Sequence, residues 1–238
     1  MESLISSSPK INPSGLMIFA AGFGTRMGTL TKDRPKPLIE VAGRPLIDHT
    51  LKLAQDAACD PIVVNLHYKR QMLHRHLTRH PVRTIDEIPD ILETGGGLRN
   101  ALPVLGKQPV FTLNTDAIWA GPNPLELLRA AWDPEEMDAL LVCITPARAF
   151  GHQGAGDFAA DARGCLRRGT ELIYGGAQIL KTDRLSKIDE RSFSLNQIWD
   201  LMLSERRVFG LTYPGKWCDV GHPQSIKIAE RMLKNHHV

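Results

Sequence analysis

Two groups of residues in this chain have the right types and spacing for phosphate chemistry. The first is Ala20-Ala21-Gly22-Phe23-Gly24-Thr25-Arg26-Met27, followed shortly by Asp33-Arg34-Pro35-Lys36-Pro37-Leu38. Glycines lack a Cβ, so backbone N–H groups there can come close to phosphate oxygens. Arg26 adds a planar, permanently charged fork suited to a β- or γ-phosphate. Prolines on both sides of Lys36 stiffen the backbone, and a stiff backbone holds an ammonium where charge develops at a reacting phosphorus. The second group is a pair of aspartates far apart in the chain: Asp116, in Asn114-Thr115-Asp116, and Asp219, in Gly215-Lys216-Trp217-Cys218-Asp219-Val220-Gly221. A carboxylate at the end of a strand can ligate magnesium together with its waters and bridge to phosphates. Either aspartate taken alone is as well read as a turn former or a helix cap.

Other chemistries fit these residues less well. Gly22-x-Gly24 is also half of a dinucleotide fingerprint, but Met27 stands where the third glycine or alanine belongs, so a nicotinamide or flavin oxidoreductase is a rival with a missing part. No Gly-Lys-Ser/Thr ending makes a Walker-type loop, and no Gly-x-Ser-x-Gly elbow supplies a nucleophile. His67, His74, His76 and His80 invite a metal reading, with His76 and His80 one helical turn apart. No acidic residue lies between them in a zincin pattern. With Lys69, Arg70, Arg75 and Arg79 interleaved, the stretch reads as a solvated helix face.

Several elements must position these groups. Apolar runs over 16–20, 61–66, 82–85, 110–113 and 139–145 read as strands. Helical spacing over 45–58, with Pro45 suited to a helix start, and over 68–77, 94–102, 193–203 and 222–233 places helices between and after them. Strands alternating with helices predict an α/β fold with a largely parallel sheet. Ligands bind beyond the carboxyl ends of such strands, which is where Ala21 to Thr25 and Asn114 to Asp116 fall. Residues 150–180 differ: short apolar runs broken by glycines suggest antiparallel strands inserted over the site.

The bulk numbers narrow the function class. The chain has 238 residues, 42% hydrophobic, enough for one sizeable core. Lys plus Arg number 29 against 26 acidic residues, a net of +3, which is too mild for a nucleic-acid surface and compatible with one local phosphate site. The cysteines Cys59, Cys143, Cys165 and Cys218 lack zinc-finger or redox spacing and fit a reducing cytoplasm. No apolar run reaches the roughly 18 residues of a membrane span. Residues 1–15 are polar and broken by proline and glycine, and read as a loose tail without a signal peptide.

Taken together, Ala-Ala-Gly-x-Gly-Thr-Arg-Met, the spacer, Pro-Lys-Pro-Leu and the continuation Val41-Ala42-Gly43-Arg44-Pro45-Leu46-Ile47 resemble the signature of the sugar-phosphate nucleotidyltransferases. Asn114-Thr115-Asp116 is similar to that family's Asn-Gly-Asp element, with threonine for glycine, and Trp217 to Gly221 matches its Trp-x-Asp-Val-Gly element. The resemblance extends from Leu16 to the C-terminus. It implies a single domain over 16–238 with a Rossmann-like, three-layer α/β/α fold, a mixed, mostly parallel central sheet and a small inserted antiparallel region. It also implies a reaction between a nucleoside triphosphate and a sugar-1-phosphate that releases pyrophosphate, with Mg2+ held jointly by Asp116 and Asp219. The catalytic set is then Arg26, Lys36, Asp116 and Asp219. The nucleotide falls to Ala20, Ala21, Gly22, Gly24, Thr25, Arg26, Lys36, Glu93, Thr94, Gly95 and Asn114, where the Glu93-Thr94-Gly95-Gly96-Gly97 run lines the base pocket. The sugar falls to Gly156, Asp157, Glu171 and Gly176. The longer relatives' left-handed β-helix domain is not expected here, and a monomer or small homo-oligomer is. Base and sugar choice rest on a few hydrogen bonds whose geometry a sequence does not carry.

Overall fold

A computed structural model describes residues 13–235. The expected tail lies outside the described residues up to position 12. Ser14 and Gly15 are already tied down, since their carbonyls accept hydrogen bonds from the backbone N–H groups of Asp60 and Phe111, at 2.9 and 2.8 Å. The backbone is therefore held to the fold two residues before the first strand.

In chain order the elements are β1 (Leu16–Phe19), β2 (Glu40–Val41), β3 (Arg44–Pro45), α1 (Leu46–Asp56), β4 (Ile62–Leu66), α2 (Arg70–Leu77), β5 (Arg83–Asp86), α3 (Glu93–Leu105), β6 (Val110–Asn114), β7 (Ala117–Ala120), α4 (Pro124–Ala131) and β8 (Ala139–Ile144). They continue as β9 (Ala149–Phe150), β10 (Phe158–Ala160), β11 (Leu166–Arg168), β12 (Ile173–Leu180), α5 (Leu195–Ser204), β13 (Val208–Thr212), β14 (Lys216–Asp219) and α6 (Pro223–Lys234). Seven strands form the central sheet in the order β13-β8-β12-β6-β1-β4-β5. The β6-β1-β4-β5 half is parallel, β13 runs parallel to β8, and β12 is antiparallel to both its neighbours. The sheet is mixed and mostly parallel, as expected. Its inner strands are buried on both faces: β4 and β8 are buried throughout, which is why they read as continuous apolar runs.

Helices cover both faces. On one side α1, α2 and α4 share a core with Ile18, Val64, Phe111 and Ile179. On the other, α3 and α5 pack on Met17, Val63, Leu141 and Leu180. Successive residues of β1, β4 and β12 thus feed opposite cores, the period-two alternation of a strand. α1 buries Leu46, Ile47, Thr50, Leu51 and Ala54, the i, i+3/i+4 stripe that predicts it. α4 starts with Asn123, whose side chain accepts the Leu125 N–H at 3.0 Å, and with Pro124 in the first helical position, where no N–H is needed.

The structure departs from the sequence reading in several places. In the 150–180 region only β10 and β11 form a separate antiparallel hairpin, while β12 is a central strand between β6 and β8. Its three glycine and alanine positions, 175–177, hid an eight-residue, largely buried strand. β7, β13 and α4 fall outside the elements expected from sequence. The helix expected over 94–102 runs to Leu105, with the glycine triplet at 95–97 in its first turns. His76 and His80 do not belong to a solvated face: their side chains are only 16% and 20% exposed and turn toward Asp48 of α1. The four cysteines are free and buried. No helix among the described residues is long and apolar enough to cross a membrane.

Candidate active site

Beyond the carboxyl ends of β1, β4, β5 and β6 lies a cleft of about 300 Å³. Of the residues singled out from sequence, Ala20, Ala21, Gly22, Gly24, Thr25, Arg26, Lys36, Glu93, Thr94, Asn114 and Asp116 line it. The glycine segment leaves β1 and tightens into 3-10 turns over Thr25–Thr31. Gly24 takes a left-handed φ of 66°, and a Cβ there would stand 2.9 Å from both Lys36 Cβ and Thr31 Cγ2. Glycine at this position is what lets the loop rest directly on the Lys36 segment. The buried Thr31 hydroxyl donates to the carbonyls of Gly24 and Gly28, each at 3.1 Å, and closes the loop on itself. Met27, which broke the dinucleotide fingerprint, is fully buried in a third core with Ile118, Cys218 and Val220. Its side chain anchors the loop to β7 and β14.

Lys36 opens a short 3-10 turn, Lys36–Leu38, behind Pro35 in extended backbone and ahead of buried Pro37. Its side chain is 12% exposed, and its ammonium donates to Asp116 Oδ2 at 2.9 Å. The two prolines and the packing of Gly24 leave this ammonium little freedom, as the sequence suggested.

A second, small sheet brings the two aspartates together. β14 pairs antiparallel with β7, Asp219 opposite Ala117, and the Val220 N–H donates to the Asp116 carbonyl at 2.8 Å. Asp116 and Asp219 are therefore neighbours across a strand pair, 103 positions apart in sequence (219 minus 116). Arg26 belongs to the same cluster: a Cβ on Gly221 would lie 3.0 Å from Arg26 Nη1 and 3.0–3.1 Å from both Asp219 carboxylate oxygens. Burial, and then the charge of Asp116, push the Asp219 carboxyl above its ordinary range, against the pull of Lys36, Arg26 and His152. Two carboxylates side by side, next to a cleft lined by the glycine loop, Arg26 and Lys36, fit a hard dication, which takes one or two carboxylates and leaves its other positions to substrate and water.

At the far wall, Glu93 and Thr94 face the cleft, Glu93 with a left-handed φ of 56°. Gly95 does not line it. The N–H groups of Gly95 and Gly96 both donate to the Phe193 carbonyl, at 2.8 and 3.1 Å, so that carbonyl and not a ligand satisfies the start of α3. A Cβ at position 95 would stand 2.3 Å from Phe193 Cε2 and 2.9 Å from that carbonyl oxygen. Gly95→Ala is expected to lower unfolding stability by about 1–2 kcal/mol: overpacking outweighs the roughly 1 kcal/mol gain in helix propensity. Urea denaturation of the purified variant measures it, and an unchanged midpoint contradicts the packing role.

The residues assigned to sugar lie apart from the cleft lining. The Asp157 carboxylate accepts the Tyr174 N–H at 2.8 Å and ties the β10 end to β12. Glu171 lies on the surface, 3.5 Å from Arg167. Gly156 lies against the carbonyls of Thr170 and Leu172. Gly176, at φ 85°, packs on Asn114, the member of the four that reaches a cleft residue. Two cleft residues escaped the sequence reading. Asn65 Oδ1 accepts the Ala20 N–H at 2.7 Å, and Asn65 Nδ2 donates to Glu87 Oε1 at 2.7 Å. Glu87, 1% exposed, also accepts the Leu92 N–H at 2.7 Å. These polar side chains fall at or just past the carboxyl ends of β4 and β5, and that position was the available signal.

The chain is similar to proteins of one chemical class. Over 96% of its length it is 38% identical to N-acetylmuramate alpha-1-phosphate uridylyltransferase of Caulobacter vibrioides, covering 99% of that protein. It is 30% identical to the enzyme of the same name from Neisseria meningitidis serogroup B, over 91% of this chain and 96% of that one. Its fold matches the crystal structure of UDP-glucose pyrophosphorylase complexed with UDP-glucose at a TM-score of 0.77, with 15% identity over 94% of this chain and 99% of that one. Residues 16–187, which carry the glycine loop, Lys36 and Asp116, match the model of the MobA-like NTP transferase domain. The chain belongs to this family and is a nucleotidyltransferase.

Proposed function

We propose that this enzyme transfers uridylate from UTP to N-acetylmuramate 1-phosphate, giving the UDP-sugar and pyrophosphate. The observation that carries the reaction type is the Lys36–Asp116 pair, 2.9 Å apart, beneath a glycine loop and beside Asp219. The choice of sugar and base is supported by the near full-length similarity to two uridylyltransferases of that specificity. On this reading the enzyme is cytoplasmic and serves peptidoglycan sugar recycling.

The chemistry is an in-line displacement. An oxygen of the sugar phosphate attacks the α-phosphorus, the bond to the β-phosphate oxygen breaks, and pyrophosphate leaves without a covalent enzyme intermediate. Alignment and charge stabilisation supply most of the rate in such transfers. The N–H groups of Gly22 and Gly24 and the Arg26 fork hold the triphosphate. The Lys36 ammonium stands where negative charge accumulates between the two phosphates. Glu93 and Thr94 border the base, and Asn114 the nucleoside. Asp116 and Asp219 would hold Mg2+, which when bound neutralises charge on the phosphates. Until substrate arrives, Asp116 keeps Lys36 extended toward the cleft.

A pyrophosphate-release screen tests the proposal by crossing the four nucleoside triphosphates with several sugar-1-phosphates, with and without Mg2+. The highest kcat/KM is expected for UTP with N-acetylmuramate 1-phosphate. A higher value for GTP with mannose 1-phosphate overturns the substrate assignment. Silence in every well overturns the reaction itself.

A further inference from the structure

Away from the cleft, Asp48 in the first turn of α1 meets His76 in the last turn of α2 and His80 just past its end. One ligand atom from each lies within 4.8 Å of the other two. His76 Nε2 is 2.6 Å from Asp48 Oδ1, a hydrogen bond, whereas His80 Nε2 is 3.7 Å from the same oxygen, too far for one. His80 Nε2 is also shut off from solvent and has no hydrogen-bond partner. A buried ring nitrogen aimed at a carboxylate and left unsatisfied calls for a reason.

We propose that Asp48, His76 and His80 form a second metal site, for a transition-metal ion of the Zn2+ class, that clamps the start of α1 to the end of α2. Two imidazoles and one carboxylate suit Zn2+ and its neighbours, whereas Mg2+ and Ca2+ take oxygen ligands. Donor atoms on a tetrahedral Zn2+ with bonds of about 2.0–2.1 Å stand about 3.3 Å apart. The observed 2.6 and 3.7 Å bracket that separation, so small side-chain rotations bring all three onto one ion. A water completes the four positions, the pattern of three protein ligands and one exchangeable one. Arg44 and Arg79 are the neighbouring cations whose fields oppose a metal here. They do not contact the three donor atoms, and direct coordination outweighs repulsion at longer range. His74 is not a ligand, its Nδ1 being 3.1 Å from Thr84 Oγ1. α1 also packs on the turn that begins at Lys36, so the clamp steadies the layer behind the cleft.

The test is a ZnCl2 titration of the chelator-stripped, full-length protein by calorimetry, in excess Mg2+ to occupy oxygen-rich sites. Thermal melts with and without Zn2+ accompany it. One equivalent of Zn2+ is expected to bind and to raise the melting temperature. H76A and H80A are each expected to weaken binding by more than the roughly 100-fold that loss of an outer-shell partner brings. H236A/H237A, which removes the histidine pair near the C-terminus, is expected to keep the full equivalent. Uptake that survives H76A or H80A, or that disappears in H236A/H237A, overturns the proposal. Crystals soaked in ZnCl2 decide independently of variant folding: anomalous density among His76 Nε2, His80 Nε2 and Asp48 Oδ1 supports the site, and its absence there rejects it.

Discussion

Replacing Lys36 with alanine lowers kcat for pyrophosphate release by about 10²–10³-fold, the usual loss when a preorganised charge at the reacting centre is removed. The side chain is 12% exposed and its ammonium meets Asp116, so the substitution deletes a fixed cation and leaves a carboxylate without its partner. The core should not suffer. Lys36 sits in a short turn whose shape comes from Pro35, buried Pro37 and the close approach of Gly24, all of which remain. The expected signature is therefore a large fall in kcat with a small change in melting temperature. KM for the triphosphate should change less than kcat, because on the proposed reading the glycine amides and Arg26 still hold it. Steady-state kinetics of K36A beside a thermal melt checks this, and a normal kcat would remove Lys36 from the mechanism.

Asp219→Asn is expected to reduce turnover by about three orders of magnitude, equal to several kcal/mol of lost charge stabilisation. The same variant should be more stable than the parent when metal is chelated. Burial, and then the charge of Asp116, hold the Asp219 carboxyl above the ordinary aspartate range. Such a group binds its proton more tightly in the folded chain than in the unfolded one. Stability therefore falls as pH rises from the unfolded aspartate range through the folded value, and it stays lowered above that window. The amide carries no charge to desolvate and escapes this loss. Melts in a chelator at neutral pH should thus place D219N above wild type. Below the unfolded aspartate value, near pH ~4, the two should converge because both forms are then neutral. Added Mg2+ should stabilise wild type and leave D219N nearly unmoved. Equal responses of the two proteins to Mg2+ would remove Asp219 from the metal site. An active site that stores unfavourable charge until its ligand arrives is one form of the trade between stability and function.

Most of the residues that line the cleft around the glycine loop were legible without coordinates. Its parts act through the backbone over short stretches. The glycines between Ala21 and Thr25, the prolines around Lys36 and the polar run after β6 carry their conformational preferences in their own chemistry, and strand–helix alternation says which ends they occupy. The same locality explains the errors. β12 reads like part of an antiparallel insertion over the site because glycines and short residues fill a strand whose burial comes from neighbours on both sides. Gly95 reads like a ligand contact because nothing nearby in the chain reveals that Phe193, 98 positions on (193 minus 95), fills the space its missing side chain leaves.

The amino-acid sequence by itself determined the class of fold, the loop that leaves β1 and the identities of the charged groups, because each depends on residue type and spacing within about ten positions. Tertiary structure alone decided which of those groups meet. β7–β14 pairing, not proximity in the chain, carries Asp219 to Asp116. The approach of the end of α2 and the turn after it to α1 likewise brings two apparently solvated histidines to Asp48. Such convergences are set by strand register and helix packing, which sum many weak contacts over the whole chain and leave no mark at any single residue.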